Sequence, residues 1–229
     1  MTNIIISMIG ENLHGKVLSN VLTKNGVSHK CIIEKGTARS KKREAWLTPN
    51  RVEENINSEI LFVNNIESEE VLNIYDNFQG FVINGGLPIV KKNILKLPSK
   101  GFLNAHPGIL PKYRGQNPVQ WSIHNFDPVG ATIHLMDENI DTGPILIKKE
   151  LGKFESTTIN DLRLEVLKFS ASLLVEYLFL PLLKCHNDLL EMNLGISQRH
   201  LRLWRIRRLV VCLSGSSCPR ASPFAGGPT

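Results

Sequence analysis

Asn104 and His106 stand two residues apart at the end of the apolar run Gly101–Ala105, and Pro107 follows directly. In an extended strand alternate side chains share a face, so the amide and the imidazole project together while Ala105 points away. The proline biases His106 toward extended backbone and carries that geometry into the loop. In open α/β sheets the carboxyl ends of strands are where ligands bind. A third polar residue, Asp141, lies in the turn Asn139–Gly143. A carboxylate beside an imidazole fixes its tautomer and stabilises its protonated form. Such a set suits acyl transfer from a carbonyl to an amine. Attack turns the carbonyl oxygen negative, and Asn104 and protonated His106 would donate to it; one such donor is worth roughly 10²–10³ in rate. Asp141, directly or through water, would relay the proton shed by the amine, a step worth on the order of 10²–10⁴.

Each piece also has a plainer meaning. Asn-x-His at a strand end is often a satisfied loop, and Asp-Thr-Gly is often a turn. His134, within a strand, reads as readily as a hydrogen-bonded core histidine. His106, His134 and Asp141 could instead form a two-histidine, one-carboxylate metal site. None of these pairs has the i, i+4 spacing of local metal motifs, so no metal is expected. Spacing alone does not bring Asp141 to His106, but the strand bearing Thr132 and His134 leads straight into its turn.

The elements around these residues alternate. Asn3–Ile9, Lys30–Glu34, Ile60–Val63, Gly80–Asn84 and Gly101–Ala105 read as strands. His14–Asn25, Glu67–Asp76 and Lys91–Leu97 carry helical apolar spacing between them. Strand, helix, strand with short links predicts a Rossmann-like α/β fold, its mostly parallel sheet covered by helices on both faces. Pro107–Gly115 is a loop by its proline and glycine content, and Asn117-Pro118 offers an N-cap and first helical position for Pro118–His124. Gly130–Leu135 and Ile145–Leu151 are two further strands bracketing the turn Asp137–Gly143. Thr158-x-x-Asp161 resembles a capping box. It opens a long helix with Ile159, Leu162, Val166, Phe169, Leu173, Tyr177 and Leu180 on one face, which Pro181 should end or kink.

The formal net charge of +6 is misleading about partners. No acidic residue follows Glu191, whereas Arg199, Arg202, Arg205, Arg207, Arg208 and Arg220 equal the whole excess, so residues 1–198 are neutral in sum. A phosphate-recruiting patch belongs on the folded body, and a nucleic-acid partner is not expected. The Lys35–Arg43 run reads as a solvated loop face. Residues 1–190 are expected to form the catalytic domain, and 191–229 a basic, then Ser/Gly/Pro-rich tail that is disordered or aberrant. The alternative for its Arg-rich part, with Trp204 interleaved, is a basic segment touching RNA or anionic lipid. Cys31, Cys185, Cys212 and Cys218 form no C-x-x-C pair. No signal peptide or membrane span is expected, which makes a reducing, cytoplasmic setting the default.

The run Leu103–Gly115 (LNAHPGILPKYRG), followed by Thr132-Ile133-His134 and Asp141-Thr142-Gly143, resembles the folate-dependent formyltransferases. That family includes glycinamide ribonucleotide transformylase, methionyl-tRNA formyltransferase and the sugar N-formyltransferases. The resemblance covers roughly residues 1–185 and is strongest over 80–150. It implies Asn104, His106 and Asp141 as a catalytic trio supported by Thr132 and His134. It implies 10-formyltetrahydrofolate as formyl donor and a small-molecule amine as acceptor. The pterin would lie between Gly85, Gly86, Leu87, Ile89 and Val90 on one side and Asp137, Glu138, Asn139 and Ile140 on the other; plain core packing is the competing reading of Leu87, Ile89 and Val90. Where the ribonucleotide enzymes have a glycine-rich phosphate loop, this chain has Ile9–Gly15, and Glu11 sets a negative charge there. The tRNA enzymes carry a further C-terminal domain that this tail would not supply. A nucleotide-linked amino sugar is the expected acceptor. Glycinamide ribonucleotide, hydrolysis of formyltetrahydrofolate, and a non-catalytic folate- or nucleotide-binding role are the alternatives. The oligomeric state stays open, a homodimer included.

Overall fold

The computed structural model of the chain describes residues 4–38, 40–41, 56, 58–156 and 158–191. Thr2–Lys184 form one compact unit; Met1 and Cys185–Thr229 group separately, and of these only the helical backbone of 185–191 is described. The expected tail beyond Glu191, and Arg39, Lys42 and Arg43 of the basic run that starts at Lys35, lie outside the described residues.

The elements run β1 (Ile4–Ile9), α1 (Leu13–Lys24), β2 (Lys30–Glu34), β3 (Glu59–Val63), α2 (Glu69–Asp76), β4 (Phe81–Asn84), α3 (Lys92–Leu95), β5 (Phe102–His106), α4 (Pro118–His124), β6 (Gly130–Leu135), β7 (Ile145–Glu150) and α5 (Ile159–Glu191). The sheet order is β3-β2-β1-β4-β5-β6-β7. The first five strands pair in parallel, and β6 and β7 are added antiparallel. This is the expected mostly parallel Rossmann-like sheet. The order turns at β1, between β2 and β4, and in such open sheets ligands bind at the carboxyl ends of the strands.

Apolar runs without alternation are what a strand buried on both faces needs. In β1, Ile4, Ile6 and Met8 pack with Val17 and Leu18 of α1 and Leu174 and Leu178 of α5. Ile5 and Ile9 pack on the opposite face with Val71 and Tyr75 of α2 and Ile94 of α3. The second face carries the polar residues as well. Ser7, between those two isoleucines, shares a 2.5 Å hydrogen bond with the buried Tyr75 hydroxyl.

Helix α5 starts where the cap signal stands: the Thr158 hydroxyl accepts the Asp161 N–H at 3.2 Å and donates to its carboxylate at 2.6 Å. Leu162, Val166 and Leu173 are buried as expected, whereas Ile159 is exposed. The core-facing side widens toward Leu178, taking in Ala171, Leu174 and Val175, so a single stripe underestimates it. Pro181 does not end the helix, which continues to Glu191. A proline removes one backbone bond and crowds the preceding turn, and a long helix can absorb that loss.

Candidate active site

The end of β5 delivers the amide and imidazole as alternation requires. Ala105 enters the α1/α5 core, while Asn104 and His106 turn to the other face and are buried. Antiparallel pairing sets Asn104 opposite His134 and His106 opposite Thr132. Four polar side chains therefore share one face. Thr132 works on the loop: its hydroxyl donates to the Gly108 carbonyl at 2.8 Å and accepts the Leu110 N–H at 3.1 Å. Past β6 the chain turns back, and Asp141, in left-handed backbone at φ 51°, brings its carboxylate into the group. Aspartate is among the few side chains that tolerate this region.

The Asp141 carboxylate is the hub. Oδ1 accepts from Asn104 Nδ2 at 3.1 Å and lies 3.4 Å from His134 Nε2. Oδ2 accepts the Gly115 N–H at 2.8 Å and lies 3.5 Å from His106 Nδ1. Backbone carbonyls settle both tautomers, because a carbonyl can only accept. His106 Nε2 donates to the Tyr113 carbonyl at 2.7 Å, and His134 Nδ1 donates to that of Leu135 at 2.9 Å. His134 Nε2 then accepts from Asn104 Nδ2 at 3.2 Å. Both N–H bonds of Asn104 are thus committed, one to His134 and one to Asp141.

Burial pushes the His106 imidazole below its ordinary value, against the upward pull of Asp141 and of the Tyr113 carbonyl. Burial also pushes the Asp141 carboxyl up, but the bond that His134 Nε2 gives once its ring is protonated, the charge on a protonated His106 and the Gly115 N–H outweigh it and hold it at about 2. The two tendencies conflict, since His106 helps Asp141 only while protonated. The Gly115 N–H acts at any pH. At neutral pH the pair is therefore a carboxylate facing a neutral ring, and 3.5 Å is too long for a hydrogen bond. A proton arriving at Nδ1 would close that gap and leave the ring donating at both ends. Among the described residues no cluster of His, Cys, Asp and Glu has metal-holding geometry.

Beside the hub lies an open cleft. Leu87–Val90 form one wall, Met136, Asp137, Asn139 and Ile140 the other, and Asn84, Asn104, His134 and Asp141 complete it. Apolar walls with polar side chains between them suit a flat heterocycle with hydrogen-bonding edges. His106 is not in the lining; it lies under the Tyr113 loop and meets the cleft through Asp141. Three residues expected at the pterin stand elsewhere. Glu138 turns outward to Lys92, 2.9 Å away. Gly85 and Gly86 pack against β1 and the first loop: a Cβ on Gly85 would meet Ile6 at 2.8 Å, and one on Gly86, at φ 101°, the Asn12 amide at 2.9 Å. Their smallness serves close backbone approach, with Asn12 Nδ2 donating to the Gly85 carbonyl at 2.8 Å.

Asn84 escaped the sequence reading. Its Oδ1 accepts the Gly86 and Leu87 N–H groups at 2.9 and 2.7 Å, and its Nδ2 reaches Asn104 Oδ1 at 3.4 Å. Asparagine before Gly-Gly at a strand end is the available signal, since such a side chain caps its own turn. The Tyr113 carbonyl and Gly115 N–H were invisible because backbone groups carry no letter. Glu11 needs a correction. Its charge is matched by Lys35 at 2.8 Å and Lys16 at 3.7 Å, so it does not by itself repel an anion from the first loop.

The pattern that describes the Formyl transferase family matches residues 3–178. A methionyl-tRNA formyltransferase of Thermodesulfovibrio yellowstonii is 38% identical over 89 residues, 38% of this chain and 29% of that protein. The chain thus matches less than a third of the length of that relative. Among solved structures, a sugar N-formyltransferase from a Shewanella species aligns with TM-score 0.55 at 24% identity, over 78% of this chain and 68% of that one. A phosphoribosylglycinamide formyltransferase from Streptococcus pneumoniae aligns with TM-score 0.55 at 17% identity, over 77% and 97%. These two likenesses are of fold. With the family pattern running through the sheet, the Asn104–Gly115 segment and Asp141, the chain belongs to the formyl transferase family.

Proposed function

We propose that this protein transfers the formyl group of 10-formyltetrahydrofolate to a primary amine, and that the amine is carried by a nucleotide-linked sugar. The observation that carries the reading is the convergence of Asn104, His134 and Asp141 on one cleft, with His106 held 3.5 Å behind the carboxylate. The folate supplies an activated formyl carbon, and Leu87, Ile89, Val90 and Met136 would hold its ring while Asp137 and Asn139 meet its polar edge. Asn104 turns one N–H from Asp141 or His134 to the formyl oxygen as negative charge grows there. Asp141 takes the amine proton and passes it to His106 Nδ1, 3.5 Å away, where the imidazolium then faces the restored carboxylate. His106, now donating to Tyr113 and Asp141, returns the proton along the same path to the departing folate nitrogen.

Release of tetrahydrofolate from 10-formyltetrahydrofolate, followed against a panel of amines, tests this reading. The panel holds nucleotide-linked amino sugars, glycinamide ribonucleotide and an amine-free control, with His106→Ala as the blank. Turnover with an amino sugar is expected. Formate release without amine would make the protein a hydrolase, and turnover with none would end the enzyme reading. Glycinamide ribonucleotide is the second candidate because Lys16 and Lys35 flank Glu11 and leave that loop able to face a phosphate.

A further inference from the structure

The Tyr113 carbonyl fixes the His106 tautomer, and a carbonyl on a loop is only as steady as the loop. Tyr113 is buried, and its hydroxyl donates to the Asp127 carboxylate while accepting from Asn125 Nδ2 at 3.3 Å. Lys112, the neighbouring residue, donates to the same carboxylate and lies 5.5 Å over the tyrosine ring. Asp127 is itself set by the turn that closes α4: its N–H bonds the Ser122 carbonyl at 2.9 Å, after Phe126 at φ 57°. A bulky residue avoids that conformation. The Phe126 side chain is 98% exposed, so packing of the ring does not compensate. What the turn delivers is the Asp127 carboxylate, and what Asp127 holds is the residue whose carbonyl faces the imidazole.

We propose that Asp127, which lines no part of the cleft, is a positioning residue for His106. Its carboxylate holds the Tyr113 hydroxyl and the Lys112 ammonium, the tyrosine carbonyl stays opposite Nε2, and Nδ1 is left free of a proton toward Asp141. The inference rests on the formyl-transfer reading only for its rate measurement; the tautomer measurement stands without it.

The full chain, labelled with ¹⁵N in its histidines and studied at about pH 8, where a histidine near its ordinary value is neutral, gives the test. Long-range ¹H–¹⁵N correlations show which ring nitrogen carries the proton. A single Nε2–H form is expected for His106, and in Asp127→Ala and in Tyr113→Phe an Nδ1–H form should join it. Asp127→Asn, whose amide oxygen still accepts from the phenol, should keep the parent pattern. His29, which donates from Nδ1 to the Val27 carbonyl at 3.0 Å, reports in the same spectra that each variant is folded. In turnover, the Ala and Phe variants should lose roughly 10- to 100-fold in kcat, with donor KM within about twofold, as misplaced catalytic groups do. Two folded variants that keep a single Nε2–H form, or a parent protonated at Nδ1, overturn the proposal. A tautomer change in a protein that formylates no amine supports the positioning and counts against the transfer reading.

Discussion

Asp141 stands 3.5 Å from His106 because β6 and the turn after it fold back along β5, and that contact decides the pH behaviour of the pair. His106 lies below its ordinary 6.5 and Asp141 at about 2, so near neutrality the ring is neutral and the carboxylate ionised. If His106 must accept the amine proton, kcat/KM falls as pH drops through the His106 value. That acid limb is expected below 6.5. It should stay in place when amines of different basicity are compared, which separates it from ionisation of the acceptor. Asp141→Asn removes the charge that pulls His106 upward, so its limb should move to lower pH while the rate falls. A limb at or above 6.5 in the parent would contradict this assignment. Asn104→Ala should cost roughly 10²–10³ in kcat/KM, the worth of one donor at a developing oxyanion. A loss below tenfold would mean that Asn104 only braces His134 and Asp141.

All seven strands and the helices between them could be read from apolar runs and helical spacing, because a strand buried on both faces, as β1 is, writes itself as uninterrupted hydrophobic residues. The direction of β6 could not. Gly130–Leu135 has the same letters in either orientation, and only pairing with β5 sets His134 across from Asn104. Gly85 and Gly86, named from the family resemblance, have a packing use that their letters do not reveal: the group close to their backbone is the chain's own β1 and Asn12. The α4–β6 turn offers a clean test of strain. Phe126 sits at φ 57° with its ring in solvent. An L-residue pays about 1–2 kcal/mol in this region, part of which glycine returns through the greater entropy of its unfolded chain. Phe126→Gly is therefore expected to stabilise the protein by about 1 kcal/mol, read as a higher urea midpoint at unchanged slope. A lower midpoint would show that the ring packs in solution.

Across the whole molecule the charge excess belongs to the arginines after Glu191, and the body is balanced. Its response to acid is therefore governed by where single groups are buried. His29 is the clearest case outside the cleft. Its Nε2 accepts from the buried Ser19 hydroxyl at 2.8 Å and its Nδ1 donates to the Val27 carbonyl. The hydroxyl could rotate to accept from a second ring proton, so the cost of charging His29 is desolvation, which pushes it below its ordinary 6.5. His106 is pushed the same way. In both cases the unfolded chain takes up a proton that the folded chain refuses, so stability is full above 6.5 and declines as pH falls through that value. Asp141 acts in a lower window. Its carboxyl drops from 3.8 to about 2 on folding, a contribution present above 3.8 and lost as pH falls toward 2. By linkage it amounts to about 2 kcal/mol. Urea unfolding from pH 8 to 2 should therefore show two separate declines. His29→Gln should shrink the first and leave the second in place, whereas Asp141→Asn should shrink the second, leaving the part that Glu11 and Asp127 contribute. A parent whose stability stays level between pH 8 and 5 would show that neither histidine is as dry as its surroundings make it.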